Sequence, residues 1–233
     1  MSLVLKNALM PSEDQQALRL RLDYFMRRFL FIALGMGLLL PTAAKAESSN
    51  QIRYIPSGSM SPVLQREDRI VVNTNAYLNS SPLRGDIISY FSPYSFDQKL
   101  ISNRETPLPS KAECKKTRDK DRACDEYIKR IVALEGDQVL VTNKGELYLN
   151  GTLVNETYLS NNYNCPEALP FACPELSATV PKGHAIVLGD NRGNSYDSRF
   201  WPGGPFLPIE KITGRAETIA WPLDRARSLM SSE

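Results

Sequence analysis

Two side chains far apart in the chain have the types needed for acyl transfer: Ser59 in YIPSGSMSP (54–62) supplies a hydroxyl nucleophile, and Lys129 in EYIKRIVALEGD (126–137) supplies an amine to take its proton. The 233-residue chain has one histidine, His184 in PKGHAIVLGD, and no pattern ties it to Ser59. Imidazole is the usual base for a serine nucleophile, so its scarcity directs attention to lysine. An amine acts as a base only when neutral, which requires apolar surroundings that disfavour the ammonium. Lys129 follows Tyr127 and Ile128 and precedes Ile131, Val132, Ala133 and Leu134, interrupted only by Arg130. Asp86 and Asp137, each after a glycine, read as turn residues ahead of strands, since a serine–lysine pair needs no third carboxylate. Taken alone, Ser59 reads as a turn serine and Lys129 as a solvent-facing strand lysine.

The elements that must hold these residues are mostly strands. Arg69–Asn73, Asp86–Phe91, Tyr127–Leu134, Gln138–Thr142, Glu146–Leu149, His184–Leu188 and Ile212–Trp221 are rich in β-branched and aromatic residues and bounded by turn formers. Asn143-Lys144-Gly145 predicts a tight hairpin and Asn150-Gly151 a further turn. The pattern is all-β. Two segments break it, 96–125 and 158–179, each carrying a cysteine pair, and both read as long insertions on the core. A net charge of +2 gives no reason to invoke nucleic acid, and 233 residues suffice for one substantial domain with a small appended element.

Residues 1–28 are polar and carry Arg19, Arg21, Arg27 and Arg28, just ahead of the uncharged stretch Phe29 to Leu40. Basic residues of this kind stay on the cytoplasmic side, so insertion of 29–46 places the domain 47–233 on the far side of a cell membrane. The run is short for a spanning helix. Two readings stand: an anchor, favoured by the long leader, or a cleavable signal, for which Ala44-Lys45-Ala46 supplies small residues at the two defining positions.

Four blocks in order, PSGSMSPVL (56–64), RGDIISYF (84–91), YIKRIVALEGD (127–137) and GDNRGNSYDSRFW (189–201), give the chain a strong resemblance to the type I signal peptidases, serine–lysine proteases that remove signal sequences from exported proteins. The resemblance implies a fold of coiled antiparallel sheets, with the nucleophile near an apolar surface that dips into lipid. It implies Ser59 as nucleophile and Lys129 as base. It implies an oxyanion hole made by the Ser59 backbone N–H and the Ser57 hydroxyl, with Gly58 between them permitting close backbone approach. Ser195 matches the family serine that hydrogen-bonds the lysine amine. Asp197 and Arg199 match a supporting salt bridge, and Asp190, Asn191 and Arg192 shape the loop that carries Ser195. Gly193 stands where aspartate is frequent, and Trp201 is followed by Pro202-Gly203 instead of directly by glycine. Neither departure touches a residue that handles protons.

The substrates so implied are preproteins arriving through a translocase and cut after Ala-x-Ala at a lipid bilayer. No metal or cofactor is implied. Ala44-Lys45-Ala46 satisfies the same rule, which raises clipping of the chain's own anchor. Beyond the membrane disulfides are permitted, and the spacing of the four cysteines predicts local bridges Cys114–Cys124 and Cys165–Cys173 among three possible pairings. Two rival functions are a specialised relative maturing pilin-type subunits of a conjugation or secretion system, and a catalytically idle membrane-tethered β-domain that binds exported chains.

Overall fold

A computed structural model describes residues 49–110, 113–114, 121–159 and 173–230. The leader 1–28, the apolar run 29–46 and Cys165 lie outside the described residues. The strands are β1 (Asn50–Tyr54), β2 (Arg69–Asn73), β3 (Ile87–Phe91), β4 (Glu126–Leu134), β5 (Gln138–Val141), β6 (Leu147–Leu149), β7 (Thr152–Leu153), β8 (Leu176–Thr179), β9 (His184–Leu188), β10 (Leu207–Pro208), β11 (Ile212–Trp221) and β12 (Arg227–Ser228). They form two antiparallel sheets. The larger has the order β1-β2-β11-β3-β4-β9-β10 with β12 on β11, and the smaller has the order β7-β6-β5-β8.

The long strand β4 is central because its apolar run is buried on both faces: Ile131 and Ala133 are fully buried and Val132 nearly so. It pairs with β3 (Ile88 opposite Lys129) and with β9 (Arg130 opposite Leu188), and a register shift between Ile131 and Ala133 bends it. Past that bend, Val132 and Ala133 join Ile186 and Leu188 of β9 in a core shared with Val139, Val141, Leu147 and Leu176 of the smaller sheet. A second core gathers Ile55, Met60, Leu64, Ile70, Val72, Ile87, Ala216 and Ile219. Met60 and Leu64 sit in the turn between β1 and β2 and are fully buried. At about 1.5–3 kcal/mol for each such side chain, they fasten that turn to the sheet.

The turn glycines do what their positions require. Gly145 has φ +83° in the hairpin between β5 and β6, and Asn150 (+51°) and Gly151 (+82°) make the two-residue turn between β6 and β7. The segment 158–179, expected as loop, contributes β8, because pairing with β5 completes the smaller sheet. The edge strand β1 went unread in the sequence since its residues NQIRY alternate only weakly. Within 96–125 a single helical turn α1 (Gln98–Ile101) is capped by the Asp97 carboxylate, which accepts from the Lys99 and Leu100 N–H groups. Cys114 is joined to Cys124 by a disulfide, and Cys173 is disulfide-bonded. Among the described residues no helix is long and apolar enough to cross a membrane.

Candidate active site

Ser59 and Lys129, 70 residues apart, meet in the buried seam between the β1–β2 turn and β4. Lys129 Nζ lies 3.0 Å from Ser59 Oγ and donates at 2.8 Å to the Ile128 carbonyl of its own strand. Lys129 is 5% exposed and Ser59 9%. That burial brings the lysine from its ordinary 10.5 down to about 8, against the opposing pull of Asp197 and Asp190. A neutral amine has one lone pair and two N–H groups, so the 3.0 Å contact lets it take a proton from Ser59 while still donating to Ile128. Ser57 is exposed, and its Oγ stands 3.3 Å from Ser59 Oγ. A Cβ at Gly58 would meet Ser61 Oγ at 3.5 Å and Asn194 Nδ2 at 4.0 Å, both ordinary contacts, so among the described residues that position has room.

The loop after β9 closes the site from the other side. Asn191 donates twice to the nucleophile turn, from its backbone N–H to the Ser59 carbonyl (3.1 Å) and from Nδ2 to the Gly58 carbonyl (3.1 Å). Gly189 is required by the close approach: a Cβ there would lie 2.2 Å from Ser195 Oγ and 2.5 Å from the Ser59 carbonyl oxygen. The hydrogen bond expected from Ser195 to the lysine amine is not formed. Among the described residues Ser195 Oγ is buried without a hydrogen-bond partner, because Lys129 Nζ is directed to Ser59 Oγ and the Ile128 carbonyl instead.

The charges around this loop are paired and buried. Asp197 and Arg199 form an ion pair at 2.8 Å with both side chains inaccessible, and Asp197 also accepts from the Gly189 N–H at 3.0 Å. Arg199 donates to the Arg192 carbonyl at 2.8 Å. Asp190 takes a two-pronged contact from Arg130 at 2.8 and 2.7 Å. Arg192 donates to the carbonyls of Gly189 and Gly145 and is paired with Glu156. Arg130 and Glu156 escaped the sequence reading. Arg130 carried a signal, since a second cation in an apolar strand demands a buried acid; Glu156 carried none.

Asp86 accepts from Tyr77 and the Leu83 N–H, and Asp137 from Arg84, the Leu134 N–H and Asn150, so both brace turns. His184 packs against Phe206, with Nδ1 at 2.8 Å from the Lys182 carbonyl. Among the described residues no group of three or more His, Cys, Asp or Glu is placed to hold a metal ion.

An all-β scaffold thus buries a lysine amine against a serine hydroxyl, the two groups a serine–lysine hydrolase would need. The model of the family described as signal peptidase, peptidase S26, matches residues 25–221. A probable signal peptidase I-2 of Synechocystis is 36% identical over 175 residues, 75% of this chain and 65% of that protein. A signal peptidase I of Leptolyngbya laminosa is 35% identical over 179 residues, 77% of this chain and 72% of that protein. A crystal structure of a signal peptidase I from Enterococcus faecalis covers 58% of this chain and 97% of that one at 25% identity, with a TM-score of 0.37. The chain belongs to the signal peptidase family, peptidase S26, and is a serine peptidase of that family.

Proposed function

We propose that the protein is an endopeptidase that removes N-terminal signal peptides from exported preproteins, cutting after Ala-x-Ala, with Ser59 as nucleophile and Lys129 as general base. The observation that carries this reading is the 3.0 Å contact between Ser59 Oγ and a buried lysine brought down to about 8. Neutral Lys129 takes the Ser59 proton as Oγ bonds to the scissile carbonyl carbon. The resulting ammonium returns that proton to the departing amine as the C–N bond breaks, leaving an ester on Ser59. In the second half the same amine deprotonates water, which attacks the ester carbonyl; the ammonium returns that proton to Ser59 Oγ as the ester C–O bond breaks, releasing the signal-peptide carboxylate. The Ser57 hydroxyl and the Ser59 N–H are assigned to the oxyanion. Ser195 is assigned to steering the amine, a role for which its buried, unpartnered hydroxyl is available. Asp197 with Arg199, and Asp190, Asn191 and Arg192, hold the loop.

The arginines before Phe29 and the uncharged stretch that follows support a single-pass placement, with the leader in the cytoplasm and the catalytic domain beyond the membrane beside the translocase. On this reading Ala44-Lys45-Ala46 is itself a site at which the enzyme, or a sibling peptidase, clips the anchor. The test is cleavage of an Ala-x-Ala preprotein by the full chain in lipid, compared with Ser59→Ala and Lys129→Ala. Cleavage by wild type alone is expected, and equal cleavage by either variant contradicts the assignment.

A further inference from the structure

The segment following β7 carries two side chains that the reaction just described does not use, Glu156 and Tyr158, and both are built into the back of the active site. The Glu156 carboxylate receives Arg192, with Nη1 at 2.9 Å from Oε2 and Nη2 on Oε1; the two side chains are 5% and 0% exposed. The Tyr158 hydroxyl donates to the same carboxylate. The Tyr158 ring lies 4.0 Å from the Arg130 guanidinium carbon and forms a cation–π platform for it. These two arginines are the ones that hold the loop after β9: Arg192 through the Gly189 carbonyl (3.0 Å), and Arg130 through both oxygens of Asp190. The next residue, Asn191, grips the carbonyls of Gly58 and Ser59. Charged hydrogen bonds therefore run from the segment after β7 to the loop after β9, whose Asn191 reaches the nucleophile turn through two neutral amide-to-carbonyl bonds.

Two buried arginines and two buried carboxylates make this cluster balanced in charge, and each cation has two kinds of partner, so neither guanidinium can turn without unpairing a buried donor. We propose that Glu156 and Tyr158 are positioning residues of the reaction: by locking Arg192 and Arg130 they fix Gly189–Asn191 against the backbone of Gly58 and Ser59, and so set Ser59 Oγ against Lys129. The proposal rests on the reading of Ser59 and Lys129 as the reacting pair. Neither side chain touches Ser59 or Lys129, so the loss on removal falls on kcat.

The experiment compares Glu156→Ala, Glu156→Gln, Tyr158→Leu and Tyr158→Phe with wild type by steady-state cleavage of an Ala-x-Ala preprotein and by residue-resolved amide hydrogen exchange. Glu156→Ala and Tyr158→Leu are expected to lower kcat on the order of 10- to 100-fold, the effect of a displacement of about 1 Å at the reacting atoms. KM should stay within about two-fold, and the Asn191 amide should exchange faster while Val72 on β2 stays protected. Tyr158→Phe, which keeps the ring over Arg130, should recover most of kcat, whereas Glu156→Gln, which leaves the buried Arg192 guanidinium without its counter-charge, should lose activity with Glu156→Ala. Unchanged exchange at Asn191, or exchange raised equally at Val72, overturns the proposal, since the second result marks a general loss of stability. If wild type fails to cleave, the Ser59–Lys129 reading fails, and the exchange arm still decides whether Glu156 and Tyr158 hold the Ser59 turn.

Discussion

Replacing Lys129 by methionine, which keeps the volume and removes the charge, should make the protein inactive and yet change its stability in a pH-dependent way that the wild-type lysine dictates. Lys129 is buried and its amine is brought from 10.5 to about 8 by the loss of water around it. The native state thus gives up this proton near pH 8, whereas the unfolded chain keeps it to about 10.5. Between those values the unfolded state binds more protons, so the lysine's contribution to stability rises with pH. The full shift corresponds to about 3 kcal/mol; roughly 1 kcal/mol of it is realised at pH 9 and most of it by pH 10. Below about pH 7 the native state carries a buried ammonium at nearly the whole cost. The assay is urea unfolding followed by tryptophan fluorescence, with Trp201 buried and Trp221 half-exposed as reporters. Wild type minus Lys129→Met should show a stability difference that moves in favour of wild type by about 2.5 kcal/mol from pH 7 to pH 10. A difference that stays flat over that range refutes the argument that burial neutralises Lys129.

Three further outcomes follow from the same geometry. Ser57→Ala should lower kcat about 10²- to 10³-fold with little change in KM, read from steady-state cleavage, because its hydroxyl is assigned to the oxyanion. Arg130→Met should cost about 3–5 kcal/mol in urea unfolding by leaving Asp190 charged and unpaired, and adding Asp190→Leu should recover much of that loss. Gly189→Ala should abolish cleavage, since its Cβ would occupy the space of Ser195 Oγ and of the Ser59 carbonyl; a circular dichroism spectrum like that of wild type would place the damage in the site.

Strands were legible wherever β-branched residues run between turn formers: the expected spans Arg69–Asn73, His184–Leu188 and Ile212–Trp221 coincide with β2, β9 and β11. The elements missed are those whose stability is supplied by a partner. LSAT (176–179) becomes β8 because β5 offers it an edge, and NQIRY (50–54) becomes β1 because β2 does. In the site, a separation of 70 residues between Ser59 and Lys129 carries no pattern, and the two were joined in the sequence only through the four ordered blocks. The same blocks gave Ser195 a contact that the structure withholds, since hydrogen-bond direction depends on where Ile128 turns its carbonyl. Glu156 was out of reach for a different reason. It lies 36 residues from Arg192, and a single acid in a loop shows nothing of the buried cation it will meet.

The most direct test of the Ser59–Lys129 assignment is the pH dependence of kcat/KM for an Ala-x-Ala preprotein, which reports ionisations of the free enzyme. Activity should rise through a single limb centred at about 8 as the Lys129 amine loses its proton, and His184→Asn should leave that limb in place. A limb near the ordinary histidine value of about 6.5 that disappears in His184→Asn would contradict lysine as the base.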